Sequence, residues 1–355
     1  MIAQHKQIKF DEILRHYMPE HNFSPISGVL ERFTIKTDTL QNRLGDPTER
    51  EVLVHIPRQG FDAMIREEKL PVIIYLAPYT SSGLGRASWK AFSETLPQRF
   101  ERICSQGGKP AILVLVDSFT SLGGNQFVDS PVMGNWATWL SNDLQTEISN
   151  RYPVDGTWKL IGKSSGGYGA LMLPMFYPDK WTDIACHSGD CGFDLMFKPL
   201  LAEALTRISK SGSVDEFLND FKLSKKIAGD DFHTLMIIAM AASYSPSEPS
   251  KTSKLGIQLP INSESAEIDD SMWNEWLKFD PLENVEELFH AYTKLNSVYI
   301  DVGVWDQYHI QYGLRRLNKM LVERGIESNT MYQYEEFEGS HSGIESRLDH
   351  SLRLD

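Results

Sequence analysis

Apolar positions along this chain follow two rhythms. Alternation comes first. SGVLERFTIKTDTL (27–40) and REVLVHIP (50–57) alternate apolar and polar residues, and the turn-rich QNRLGDP (41–47) lies between them. That pattern predicts an antiparallel strand pair at one edge of a sheet, ended by Pro57. Unbroken apolar runs follow. LPVIIYLA (70–77), AILVLVD (111–117) and the short WKLIG (158–162) read as strands buried on both faces. SVYIDVG (297–303) and TMYQYEEFEG (330–339) complete the set, and ACHSGD (185–190) ends a further strand.

The second rhythm is helical. WATWLSNDLQTEISNRY (136–152) places Trp136, Trp139, Leu140, Leu144 and Ile148 on one face. QYHIQYGLRRLNKMLVERG (307–325) does the same with Ile310, Leu314, Leu317, Met320 and Leu321, and Gly325 reads as its C-terminal cap. Strands alternating with helices predict an α/β fold with a mostly parallel central sheet flanked by helices. Between 192 and 290 the rhythm changes. LMFKPLLAEALTRISK (195–210) and DDFHTLMIIAMAA (230–242) look helical, and 244–270 has loop composition. We read 1–355 as a single domain and 192–290 as a helical insertion, serving as a cap or a dimer contact.

Composition narrows the function classes. With 41% hydrophobic and 23% charged residues the chain can bury a sizeable core. A net charge of −13 repels phosphate backbones and anionic membrane surfaces, so nucleic acid is not an expected partner. The three cysteines, Cys104, Cys186 and Cys191, match no zinc spacing and read as reduced thiols. The N-terminal MIAQHKQIKFDEILRHYMPEH has no apolar stretch of signal-peptide length, and no run approaches the ~20 residues that span a bilayer. The expectation is a cytoplasmic protein without a membrane span, with homo-oligomerisation left open.

The chemistry sits in LIGKSSGGYGA (160–170). A strand runs into Gly162, helical sequence follows Ser165, and Gly162, Ser164 and Gly166 fit G-x-S-x-G. In a nucleophile elbow the serine occupies a strained strand-to-helix turn, which demands small residues two places to either side. Ser165 has Lys163 and Gly167 at those places, so Ser164 is the better nucleophile and Ser165 a backbone oxyanion donor. A phosphate cradle is the weaker reading, because neither G-x-x-x-x-G-K-[ST] nor G-x-G-x-x-G is present. In this architecture the acid and then the histidine follow the serine in chain order. Asp306 lies just past the strand 297–303, and His341 just past 330–339, with a helix between.

The rivals fit less well. Asp301 lies in or at the end of its strand and reads as a buttress. Glu336 and Glu338 sit too close to His341 to belong to the preceding loop. His309 starts a helix, His350 nears the chain end, and His187 could either line the pocket or serve structure. A second oxyanion donor is expected from PYTSSGLG (78–85). Pro78 has no N–H, so Tyr79 is the candidate. LGGNQFVDS (122–130) is placed to line a pocket, or is a loop fixed by Asp117 and Gly123. Trp89, Trp136, Trp139 and Trp305 are assigned no functional role.

These residues carry a resemblance. REVLVHIP, LPVIIYLAPY, AILVLVDSFTSLGGNQFVDS, GKSSGGYGA, SVYIDVGVWDQY and FEGSHSG resemble the putative-esterase branch of the α/β-hydrolases, from about residue 28 to the C-terminus. That branch includes S-formylglutathione hydrolases, feruloyl esterases, enterochelin-type esterases and mycolyltransferases. The resemblance implies an eight-stranded-type hydrolase sheet, Ser164, Asp306 and His341 as the catalytic triad, and no metal or organic cofactor. At 77–80 the chain reads APYT where S-formylglutathione hydrolases carry an SGLTC-like run, which argues against glutathione thioesters as substrates. The expected function is hydrolysis of a small-molecule carboxylic ester through an acyl-enzyme. The alternatives are acyl transfer to an alcohol or sugar by the same residues, and a binding protein on a hydrolase fold. A missing triad member would favour the latter, and all three are present.

Overall fold

The computed structural model describes residues 26–354 except 228, 252 and 329. The N-terminal stretch read above for a leader (1–21) lies outside the described residues. Eight strands form one sheet: β1 (Val29–Lys36), β2 (Glu49–Ile56), β3 (Leu70–Leu76), β4 (Ile112–Val116), β5 (Val154–Lys163), β6 (Asp183–His187), β7 (Ser297–Gly303) and β8 (Met331–Phe337). Their order is β1-β2-β4-β3-β5-β6-β7-β8. β1 pairs antiparallel with β2, and β2 with β4; every other pairing is parallel. The alternating segments thus form the antiparallel edge. The unbroken apolar runs form the buried parallel centre, where all residues of β3 and β4 are buried. This is the α/β-hydrolase sheet.

Helices cover both faces. α1 (Arg58–Ile65) and α2 (Leu96–Ser105) were not legible as periodic runs, because each is too short to show a full stripe. Thr95 starts α2 by accepting from the Gln98 backbone N–H, with the Gln98 side chain accepting from Thr95 N–H in return. α3 runs over 136–151 and contains a π-helical turn, Trp139–Leu144. α4 (Ser165–Phe176) is buried along ten of its residues, and α10 (Ile310–Glu323) follows β7. Gly325, at φ +81°, ends the α10 region in the left-handed conformation expected of it. α11 (Leu348–Leu352) packs on the face that α2 covers.

Between β6 and β7 lie α5 (Leu201–Ser211), α6 (Val214–Leu223), α7 (Gly229–Tyr244), α8 (Asp270–Leu277) and α9 (Val285–Tyr292), with a short turn of helix at Phe193–Met196. The helix expected over 195–210 is broken. Phe193–Met196 ends before Pro199, which sits in a 3₁₀ turn, Lys198–Leu200, before α5 begins. Proline disfavours a helical residue before it and supplies no N–H. The stretch 244–270 is irregular, as its composition suggested, apart from the end of α7, the start of α8 and two isolated bridges, Pro246 with Ile257 and Ile261 with Ile268.

One apolar core runs from the sheet through α4 into these helices. Tyr168 of α4 meets Phe193 and Tyr244 at ring distances of 6.1 and 6.2 Å, and Tyr244 stacks on Phe279 at 4.9 Å. Asp280 ties the segment back. Its carboxylate accepts from the backbone N–H of Gly192, Phe193 and Leu282 at 3.0, 2.6 and 3.1 Å. Among the described residues no helix is long and apolar enough to cross a membrane. The three cysteines are buried and unbridged.

Candidate active site

β5 ends at Lys163 and α4 begins at Ser165, which leaves Ser164 alone at the turn with φ 56° and ψ −125°. A non-glycine residue there stores roughly 1–3 kcal/mol of strain. Neighbours hold it: Ser164 N–H donates to His187 O at 3.0 Å, and Ser164 O accepts from Tyr168 N–H at 2.8 Å. The flanking glycines are a steric necessity. A Cβ on Gly162 would lie 1.9 Å from Gly166 O, and one on Gly166 would lie 2.1 Å from Leu76 O. The turn is tight because both neighbours lack side chains.

The loops after β7 and β8 bring Asp306 and His341 to this serine. His341 Nε2 lies 2.9 Å from Ser164 Oγ, and His341 Nδ1 lies 2.7 Å from Asp306 Oδ2. A carboxylate only accepts, so Nδ1 carries the proton and Nε2 is left to accept from the serine hydroxyl. Asp306 is further fixed by Tyr308 N–H, which donates to Oδ1 at 2.9 Å, and the His341 backbone by Gln307 Oε1 at 3.1 Å. Tyr308 packs edge-on against the imidazole at 4.9 Å. Asp306 is buried and Ser164 is half-buried, so the line runs from the interior to the cleft.

Tyr79, in the loop after β3, lines the cleft, and Ser165 is the first residue of α4. Neither backbone N–H has a partner among the described residues. The Tyr79 hydroxyl donates to Leu122 O at 2.7 Å, and Thr80 N–H donates to Gly123 O at 2.6 Å, so the loops after β3 and β4 brace each other. A Cβ on Gly123 would meet the Tyr79 ring at 2.9 Å, which explains a glycine at φ +93°. Asp117 accepts from Ser82 Oγ at 3.2 Å and Phe119 N–H at 3.3 Å. The loop 122–130 is therefore braced through Gly123, whereas the contacts of Asp117 lie outside it, and Gln126 lines the cleft.

The cleft is small, about 130 Å³. Its polar lining is Lys163, Ser164, His341, Gln126, Asp190 and Tyr308. Its apolar lining includes Tyr79 from the sheet side and Met196, Phe197, Phe232 and Met236 from the helices between β6 and β7. Phe232 meets the Tyr79 ring at 5.6 Å, so α7 reaches across to the loop after β3. Burial pushes the Asp190 carboxyl up to about 7, against the pull of a hydrogen bond from Gln126. Burial, and then the like charge of Arg86, lower the Lys163 ammonium. Among the described residues no group of three or more His, Cys, Asp or Glu is placed to hold a metal ion.

The rivals are also placed. His187 does not line the cleft. It is fully buried, with Nδ1 2.8 Å from Asp301 Oδ1 and Nε2 2.9 Å from Ser351 Oγ of α11. Asp301 also accepts from Arg347 Nε at 2.9 Å and the Tyr299 hydroxyl at 3.0 Å. Burial pushes its carboxyl up, but His187 and Arg347 outweigh this and hold it below the usual range. Asp301 is thus a buttress, as read. Glu336 pairs with Arg315, and His309 and His350 are exposed. Trp136 and Trp139 are core, and Trp89 and Trp305 are exposed. The sequence reading missed Asp190, Phe197, Phe232 and Met236. They lie in segments without a motif.

A strained serine at a strand-to-helix turn, on an eight-stranded sheet of this order, defines the α/β-hydrolase class. The family model described as Putative esterase matches residues 42–345, and the chain belongs to that family. It is an enzyme, an esterase. No curated protein matches the sequence. Solved structures share the fold at low identity. A ferulic acid esterase is 17% identical with a TM-score of 0.54, over 93% of this chain and 97% of its own. The feruloyl esterase module of Clostridium thermocellum, solved as an S954A mutant with sinapinate, is 11% identical with a TM-score of 0.54, over 94% and 91%. An S-formylglutathione hydrolase from Agrobacterium tumefaciens is 14% identical with a TM-score of 0.50, over 94% and 98%.

Proposed function

We propose that the chain hydrolyses small carboxylic esters with Ser164 as nucleophile, His341 as general base and acid, and Asp306 as the group that orients the imidazole. The observation that carries this reading is the continuous line Ser164–His341–Asp306, at 2.9 and 2.7 Å, opening into a cleft. His341 takes the hydroxyl proton as Ser164 Oγ attacks the ester carbonyl, and Asp306 stabilises the imidazolium that forms. The N–H groups of Ser165 and Tyr79 receive the oxyanion, each donor contributing about 3 kcal/mol to the transition state. His341 then protonates the departing alcohol. Water, activated by the same imidazole, releases the acid from Ser164.

In this reading residues 192–290 are the cap of a single domain, because Phe197, Phe232 and Met236 supply one wall of the cleft. The small cleft fits short acyl or alcohol groups best. The test is hydrolysis of p-nitrophenyl acetate, butyrate, octanoate and laurate by the parent protein and by Ser164→Ala. We expect turnover that favours acetate and butyrate and falls at least about 10³-fold in the variant. Equal rates from both proteins would rule out Ser164. Added alcohol acceptors, with product analysis, separate hydrolysis from acyl transfer.

A further inference from the structure

The chemistry above leaves two buried polar side chains of the same cleft without a role. Gln126 comes from the loop after β4 and Asp190 from the segment after β6; they are 2% and 4% exposed. Gln126 Nε2 donates to Asp190 Oδ2 at 3.2 Å. That bond fixes which end of the amide is which and leaves Gln126 Oε1 as an acceptor. This oxygen is buried and has no partner among the described residues. An orphaned buried acceptor is costly, and sites built around such groups discriminate strongly for a ligand that supplies the missing donor. The Gln126 amide and the Asp190 carboxyl therefore stand side by side in a cleft also lined by Phe197, Phe232 and Met236.

We propose that Gln126 and Asp190 form a specificity subsite that receives a hydroxyl group carried by the ester, on its acyl or its alcohol side. The inference rests on the ester-hydrolase reading of this cleft. Burial brings Asp190 close to half-protonation near neutral pH. A hydroxyl donates to the carboxylate and accepts from the carboxylic acid, so it suits both forms. An ammonium suits only the ionised form, and it would share the cleft with the Lys163 side chain. A carboxylate or phosphate would face Gln126 Oε1, an acceptor in either form, and would be repelled by Asp190 once that group ionises.

The experiment reads binding by titration calorimetry on the full-length Ser164→Ala protein, so that it does not depend on turnover. The probes are ethyl butyrate, ethyl 3-hydroxybutyrate, glyceryl monobutyrate and ethyl 3-aminobutyrate. We expect one of the two hydroxylated esters to bind at least about tenfold tighter than ethyl butyrate. Which one it is assigns the subsite to the acyl or the alcohol side. Adding Gln126→Met, or separately Asp190→Asn, should shrink that ratio to within about twofold. The comparison among esters in the parent background stands even if one of these variants folds poorly. Equal affinities, undetectable binding of both hydroxylated esters, a preference that survives Gln126→Met and Asp190→Asn, or tightest binding of the amino ester would each overturn the proposal. Hydrolysis that survives Ser164→Ala would instead overturn the assignment of the nucleophile, and the preference among the esters is then read as the ratio of their kcat/KM values.

Discussion

Ser164 and Asp190 show two ways in which the surroundings set the behaviour of one residue. Ser164 is held in a strained conformation by its backbone hydrogen bonds to His187 and Tyr168, in a turn that closes only because its flanking residues are glycines. Asp190 is held in an environment that disfavours its charge. Its carboxyl, with an ordinary value of 3.8, is pushed up to about 7 by burial. The folded state therefore binds the proton more tightly than the unfolded chain. This group's contribution to stability is fully present below about 3.8 and is lost as pH rises through about 7. Asn cannot ionise, so Asp190→Asn should gain on the parent protein by on the order of 3 kcal/mol between pH 4 and pH 8. His55 acts in the opposite sense. Burial lowers it to about 4, so its contribution is lost as pH falls from about 6.5. It is common to both proteins and cancels in the difference. Urea unfolding at both pH values decides the matter, and parallel profiles would contradict the burial argument.

At the scale of elements, the segment from β6 to α5 is fixed by a distant carboxylate. Asp280 accepts three backbone N–H groups and thereby holds Gly192 and Phe193, next to Asp190 and to the Met196–Phe197 wall. Asp280→Ala leaves three buried donors unsatisfied. It should cost about 3 kcal/mol or more in denaturant unfolding, and a loss below about 0.5 kcal/mol would show that water replaces the carboxylate easily. The elements that the sequence made legible were those with a repeating pattern: β1 and β2 by alternation, β3 and β4 by unbroken apolar runs, α10 by its stripe. β5 was legible only in its buried part, WKLIG, because before Trp158 only Val154 pairs with the sheet, and Asp155 and Gly156 are exposed at a shift of register. The helices α1, α2, α8 and α9 are too short for a stripe to stand out. The Ser164, Asp306 and His341 positions were legible because each follows a recognisable strand. Asp190 and Phe232 were not, because what places them is tertiary: an aspartate 90 residues further along the chain, and a helix that crosses to Tyr79.

At the scale of the molecule, the same three residue types are assembled twice. On the cleft side, Ser164, His341 and Asp306 stand at 2.9 and 2.7 Å. Beneath α11, Ser351, His187 and Asp301 stand at 2.9 and 2.8 Å. Spacing alone does not distinguish them. Ser351 lies in a regular helix turn, 1% exposed, and its hydroxyl donates to Leu348 O at 3.3 Å, while Ser164 stands strained at the cleft. A covalent phosphonylating reagent samples only serines that an electrophile can reach in the folded protein. Active-site titration with a fluorophosphonate should therefore end at one equivalent per chain, with the adduct on the peptide that contains Ser164. Detaching the C-terminal helix would expose Ser351 but part it from His187, so mild denaturant should slow the labelling without adding a second equivalent.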